Sequence, residues 1–167
     1  FKMNSGLDTG DILFQEKVAI GEDEGSSRLL LRLSNLASKK LPELILHPDE
    51  WQLWVQDEKG ASHAPKIEKS ELQINWRSKT NQIEYQIRGL DFNGGAWTSF
   101  RGNRITILKA MAGTKALQPG TLEETSGELF VGSIDGSLKI EEVKPAGGKT
   151  MPAKVWLNGA RLQVGDK

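Results

Sequence analysis

Apolar residues at positions 29, 30, 33, 36, 37 and 41 recur at steps of three and four, which places them on one stripe of a helix that begins at Ser26 or Ser27. Serine suits a helix start because its hydroxyl accepts a hydrogen bond from an otherwise unbonded amide. Pro42 falls near the end of the run, and Leu44, Ile45 and Leu46 extend it past a kink. Ahead of this helix, GLDTGD at 6–11 reads as a glycine-bounded turn, and residues 12–20 read as a strand that ends at the turn 21–25. A second helix is predicted over 78–90, with Ser78 as its cap and Ile83, Ile87 and Leu90 on one stripe.

Beyond residue 95 the period changes to two. Short strands are predicted over 96–101, 104–110, 120–124, 128–133 and 137–143, with the clearest alternation at 105–108 and 138–143. Asp135-Gly136 supplies the turn chemistry of a tight hairpin between the last two. Five short strands with regular turns predict a small antiparallel β-barrel with OB-like closure, and a short helix from Pro152 carries Val155, Trp156 and Leu157 as a plug for one end. Trp97 is expected in the core of that barrel, while Trp76 and Trp97 are also the rings on which bases would stack.

Between the two patterns, residues 48–66 hold Pro48, Gly60 and Pro65 among four acidic residues and show no period. This is the composition of a linker, and Trp51 and Trp54 are expected to anchor it to a neighbouring surface. The chain thus divides into 1–47, a linker at 48–66 and 67–167. With no cysteine among 167 residues, disulfide scaffolds, thiolate zinc sites and cysteine nucleophiles are excluded, which suits a reducing cytoplasm. No apolar run approaches the ~20 residues of a membrane helix. The first residue is Phe and the first thirteen lack the pattern of a secretory signal, so the chain reads as part of a longer protein.

The balanced charge conceals a split. Residues 1–65 carry 7 Lys and Arg against 11 Asp and Glu, whereas residues 66–167 carry 15 against 11. A basic second part either points to a polyanion or reflects two ordinary solvated surfaces. The barrel range offers Lys69, Arg77, Lys79, Arg88, Arg101, Arg104, Lys109, Lys144, Lys149 and Arg161 for phosphates. No complete catalytic motif is present, and His47 and His63 lack ligand-spaced partners, so no metal site is expected. Asp8 is the one suggestive catalytic group: it is either a turn-forming Asx residue or a carboxylate placed to orient water or move a proton.

GLDTGDIL at 6–13, APKI at 64–67, INW at 74–76, QIRGL at 86–90, GAWT at 95–98, PGT at 119–121, KPAGGKTM at 144–151 and LNGARLQVGD at 157–166 follow the order seen in methionyl-tRNA formyltransferases. The chain resembles that family almost end to end. The resemblance implies an α+β protein: residues 1–47 as the tail of a Rossmann-like catalytic domain, the linker, and residues 67–167 as a C-terminal OB-like barrel. It implies a parent enzyme that moves a formyl group from 10-formyltetrahydrofolate to methionyl initiator tRNA. Asp8 matches the catalytic Asp of the LDTG motif, with Leu7, Asp8 and Asp11 beside the folate. Lys66 and Lys149 match tRNA-backbone positions in APKI and PAGGK, and Arg88, Arg104 and Arg161 join them as candidate tRNA contacts.

Three departures qualify the match. Lys149 stands alone between Gly148 and Thr150, where the family commonly has two adjacent lysines, which weakens tRNA contact there. Asp91-Phe92-Asn93-Gly94 replaces an Asn-Pro-Trp-Pro-like run, and loss of the prolines loosens that turn. The Asn and His of the NxHxSLLP-type motif are missing, so the chain alone is expected to be inactive although its parent is an enzyme.

The expected partners are initiator tRNA, with no DNA and no membrane; the parent is expected to be monomeric and the fragment to self-associate through exposed apolar surface. Two alternatives remain at this stage. One is another 10-formyltetrahydrofolate enzyme, a hydrolase, dehydrogenase or sugar formyltransferase, since KTMPA at 149–153 is similar to the hydrolase domain of formyltetrahydrofolate dehydrogenases. The other is a structural or protein-binding barrel whose basic residues are scattered.

Overall fold

A computed structural model of the chain describes residues 1–163, 165 and 166. Val164, inside the GARLQVGD block, and Lys167, at the end of the expected barrel range, lie outside the described residues. Two compact units are present: Phe1–Glu22 with Arg28–Lys66, and Asp23–Ser27 with Ile67–Lys167.

In the first unit the apolar stripe forms helix α1, Ser26–Leu46, whose first two residues count with the second unit, and it runs through Pro42. None of its residues is buried, and Leu41 and Ile45 are 55% and 64% exposed. Its last turn is fastened by Trp51, whose indole N–H donates to the Leu44 carbonyl at 2.7 Å. Ile12 and Trp54 exchange backbone bonds of 2.8 and 3.2 Å as an isolated antiparallel bridge. The predicted strand over 12–20 is otherwise absent. Among the described residues only Ile12 of this stretch finds a backbone partner, and a strand without a continuous neighbour has nothing to satisfy its amides. Short 3-10 turns at Pro48–Glu50 and Glu58–Gly60 occupy the proline- and glycine-bearing segment.

The second unit contains helix α2, Thr80–Gly89, then β1 Ala96–Phe100, β2 Asn103–Ala112, β3 Leu122–Thr125, β4 Glu128–Gly132, β5 Ser137–Pro145, β6 Met151–Pro152 and helix α3 Ala153–Ala160. All strand pairs are antiparallel, in the order β1-β2-β5-β4-β3, with β6 also paired to β5. The alternation read from the sequence sends Leu138, Ile140 and Val143 of β5 inward to at most 2% exposure, against Ile105 and Ile107 of β2 and Leu129 and Val131 of β4. Ile83 and Ile87 of α2 and Leu157 of α3 complete this core.

Three expectations need correction. The α2 cap is not Ser78: Asp135, in the β4–β5 turn, accepts from the Thr80 amide at 2.8 Å and the Thr80 hydroxyl at 2.9 Å. Trp97 is not a core residue but half-buried, on the face of β1 opposite Ala96 and Thr98. The plug from α3 is made by Leu157 and by Trp156, which meets Phe100 edge-on at 5.1 Å, while Val155 is 53% exposed.

The sheet is open: among the described residues no ladder joins its end strands β1 and β3. One reason is that the outer edge of β1 is occupied, since Ile74 donates its amide to the Trp97 carbonyl at 2.8 Å. Side chains and the C-terminal segment span the interval instead. The Asp166 carbonyl accepts from the Leu122 amide of β3, while its carboxylate holds Arg101, directly after β1, at 2.7 Å. Between the faces remains a cavity of about 30 Å³, lined by Trp76, Phe100, Ile105, Val143 and Trp156 among others. That is room for about one water.

Candidate nucleic-acid interface

The GLDTGD turn is built from the first unit's own polar groups. Asn4 accepts from the Gly6 amide at 3.0 Å and the Thr9 hydroxyl at 2.8 Å. The Gln56 amide group donates to the carbonyls of Asp8 and Gly10 at 2.8 and 2.6 Å. Gly10 is required because a Cβ there would collide with the Lys2 carbonyl. Asp8 adopts φ 55°, a left-handed conformation that Asp tolerates better than most residues. Its carboxylate is exposed and makes no hydrogen bond or ion pair among the described residues, so it is free to accept a proton or order water. Leu7 is 91% exposed and Asp11 half-buried. An enclosed ligand site typically buries 70–90% of its occupant, so these three residues form no folate pocket by themselves. No cluster of three metal-ligating side chains occurs among the described residues.

The basic residues of the second unit divide into two groups. Lys109, Lys115 and Lys139 are paired with Glu141, Glu123 and Glu128 at 2.6–2.8 Å. Arg101 is fully committed: besides Asp166, it donates to the carbonyls of Ala160 and Arg161 at the end of α3 and lies 4.7 Å over the Phe100 ring. The Arg101 hydrogen bond holds the Asp166 carboxyl below its ordinary range, and the Glu141 bond raises the Lys109 ammonium above its own.

The second group is exposed. Arg104 sits at the start of β2 with its guanidinium 4.7 Å over the Trp97 ring. Its carbonyl accepts from Ala146 at 3.0 Å, which ties it to the turn at 146–149 that carries exposed Lys149. Gly147 gives this turn its left-handed step, φ 70°. Thr106 is the cross-strand partner of both Trp97 and Lys144. Directly paired residues share a face, so Trp97, the buried Thr106 and Lys144 form one row on the face of the sheet opposite Ile105 and Ile107, with Arg104 beside it.

The remaining candidates fall elsewhere. Arg161, at φ 46°, caps α3 with an exposed side chain, and Arg88 lies 5.2 Å from the Tyr85 ring on α2. Lys66 belongs to the first unit. Of the basic residues singled out in the sequence, the structure therefore places Arg104, Lys144 and Lys149 near one another and commits Arg101 to Asp166. Sequence reasoning missed the Trp97–Arg104 pair. Its only local signal is the register of the hairpin GAWTSFRGNRIT, which pairs Ser99 with Arg104.

Residues 66–161 match the family described as formyl transferase, C-terminal domain. The chain is 35% identical over 164 residues to a methionyl-tRNA formyltransferase of Jannaschia sp. (strain CCS1), covering 98% of this chain and 54% of that protein. It is 36% identical over 169 residues to one of Carboxydothermus hydrogenoformans, covering 98% and 55%. The chain spans about half the length of the curated relatives it matches. Among solved structures, HypX from Aquifex aeolicus is similar at TM-score 0.68 and 15% identity, over 94% of this chain and 30% of that one. WlaRD, a sugar 3N-formyl transferase solved in the presence of dTDP and 5-N-formyl-THF, is similar at TM-score 0.60 and 18% identity, over 83% and 51%. Both share the mixed arrangement of helices and antiparallel sheet.

Proposed function

The chain belongs to the formyl transferase C-terminal domain family, and from that premise we propose that it is the tRNA-holding part of a cytoplasmic methionyl-tRNA formyltransferase. The whole enzyme transfers a formyl group from 10-formyltetrahydrofolate to the amino group of methionyl initiator tRNA during translation initiation. Residues 1–47 are its catalytic-domain tail, 48–66 the linker, and 67–167 its C-terminal domain, whose antiparallel sheet stays open among the described residues. The observation that carries this reading is identity of about one third to proteins of that name across nearly the whole chain.

In this reading Arg104 and Lys149 hold backbone phosphates on the outer side of the sheet, with Lys66, Arg88 and Arg161 as further contacts. Such binding is mostly counterion release and falls steeply with salt. Asp8 accepts or positions the proton of the attacking amine. Formyl transfer also needs donors for a tetrahedral oxyanion, each worth about 10²–10³ in rate. The NxHxSLLP-type motif whose Asn and His are expected to supply them does not occur in these 167 residues, so the chain alone is inactive. The parent is a monomer, and the exposed leucines of α1 let this portion self-associate.

The test is a titration with initiator tRNA at low and moderate salt, with Lys66→Ala, Lys149→Ala and an unrelated RNA alongside. Saturable binding that weakens with salt and in both variants is expected. No binding at low salt overturns the reading. A sugar or folate-hydrolysing relative is the second reading, favoured by the fold shared with WlaRD; it predicts no preference for tRNA.

A further inference from the structure

We propose that the outer face of β1 and β2 is a stacking site for one unpaired RNA nucleotide, with Trp97 as its platform and Arg104 and Lys144 holding the flanking phosphates. This rests on the tRNA-binding reading and adds to it a contact that reads a base rather than backbone charge. The indole of Trp97 is half-buried, which holds its ring in place, and the exposed Arg104 guanidinium lies 4.7 Å over that ring. Arg104 is itself exposed and belongs to no ion pair among the described residues, which distinguishes it from Arg101, three residues earlier and locked to Asp166.

An exposed cation–π pair is weak beside the stacking of a base on an aromatic ring. A base therefore gains by taking the ring face. The displaced guanidinium stays within a side-chain length, where the phosphate attached to that nucleotide supplies the negative charge it lacks. Lys144 stands two strands away across Thr106, roughly 10 Å at the usual strand spacing, and its flexible ammonium reaches toward the same chain. Ser99, the exposed cross-strand partner of Arg104, adds a small hydroxyl on the same face. Glu142 is the one carboxylate of β5 next to Lys144 along the strand, and it is half-buried, so the row is cationic at its exposed end.

The experiment titrates the 167-residue chain with a short uridine-rich single-stranded RNA containing one 2-aminopurine, and with the same RNA carrying an abasic position there. The wild type is expected to bind the base-bearing RNA about tenfold more tightly, with the aminopurine fluorescence quenched on binding. Trp97→Leu should bring that ratio close to one while leaving the salt dependence unchanged. Trp97→Phe keeps a ring and retains part of it, and circular dichroism melts establish that both variants fold. Arg104→Ala should do the opposite, keeping the base preference but reducing the salt slope by about one phosphate contact. Equal binding of the two RNAs by the wild type, or an unchanged ratio in both folded Trp97 variants, overturns the platform and leaves the tRNA reading standing. Failure to bind either RNA or initiator tRNA at low salt overturns both.

Discussion

Arg101 and Arg104 sit at the two ends of one hairpin turn, each over an aromatic ring, yet the structure spends them differently. Arg101 joins β1 to the C-terminal segment through Asp166 and the carbonyls of Ala160 and Arg161, so Arg101→Ala should lower the melting temperature by several degrees and leave the salt slope of RNA binding intact. Its role was invisible in the sequence because its partner lies 65 positions away. The carboxylates doing such work also predict a pH response. Hydrogen bonds from Arg101 hold Asp166 below the ordinary value, and those from Thr80 do the same for Asp135. A depressed carboxylate binds protons less readily folded than unfolded, so its stabilisation is complete above the unfolded value of 3.8 and is lost as the pH falls through the folded value. Urea midpoints should therefore drop below about pH 4, and less steeply in Asp135→Asn. The GLDTGD turn, by contrast, was legible, since its glycines and Asx residues announce it. Asp8→Gly should change stability by less than about 0.5 kcal/mol, because relief of the left-handed conformation is offset by the added freedom of the unfolded chain; a chemical melt checks this.

At the scale of elements, the strands of the second unit were readable because alternation and Asp135-Gly136 act locally, and β1, β2, β4 and β5 fall within two residues of their expected ends. What depends on remote partners was not. β6 is two residues long and exists only because Glu142 and Val143 of β5 are there to pair with it. The start of α2 moved to Thr80 because Asp135 arrives from another turn. Closure failed as an expectation for the same reason, since nothing local tells that residues 73–74 occupy the edge of β1. Burial separates the elements energetically as well. Leu138 of β5 is fully buried among the core strands, and Leu138→Ala should cost about 3 kcal/mol in equilibrium unfolding. Leu41→Ala in α1, at a position 55% exposed, should cost under about 1 kcal/mol by the same measurement.

For the whole molecule, the excess of Lys and Arg after residue 65 became informative only once the structure showed where the acids go. Glu123, Glu128, Glu141 and Asp166 neutralise Lys115, Lys139, Lys109 and Arg101, while Asp135 caps α2 and Asp91 accepts from the Ser26 hydroxyl and the Ser27 amide. Cations held in such pairs have already exchanged part of their counterion atmosphere for a protein carboxylate, so they release little more when RNA binds. Arg104, Lys144 and Lys149 have no such partner among the described residues. The two groups should consequently separate in a plot of log Kd against log salt. Lys149→Ala should reduce the slope by roughly 0.7–0.9, the contribution of one phosphate contact, whereas Lys109→Ala should leave it unchanged. Equal reductions in both variants would mean that RNA senses the net charge of the unit as a diffuse field, and the candidate face around Arg104 would then hold no special place in binding.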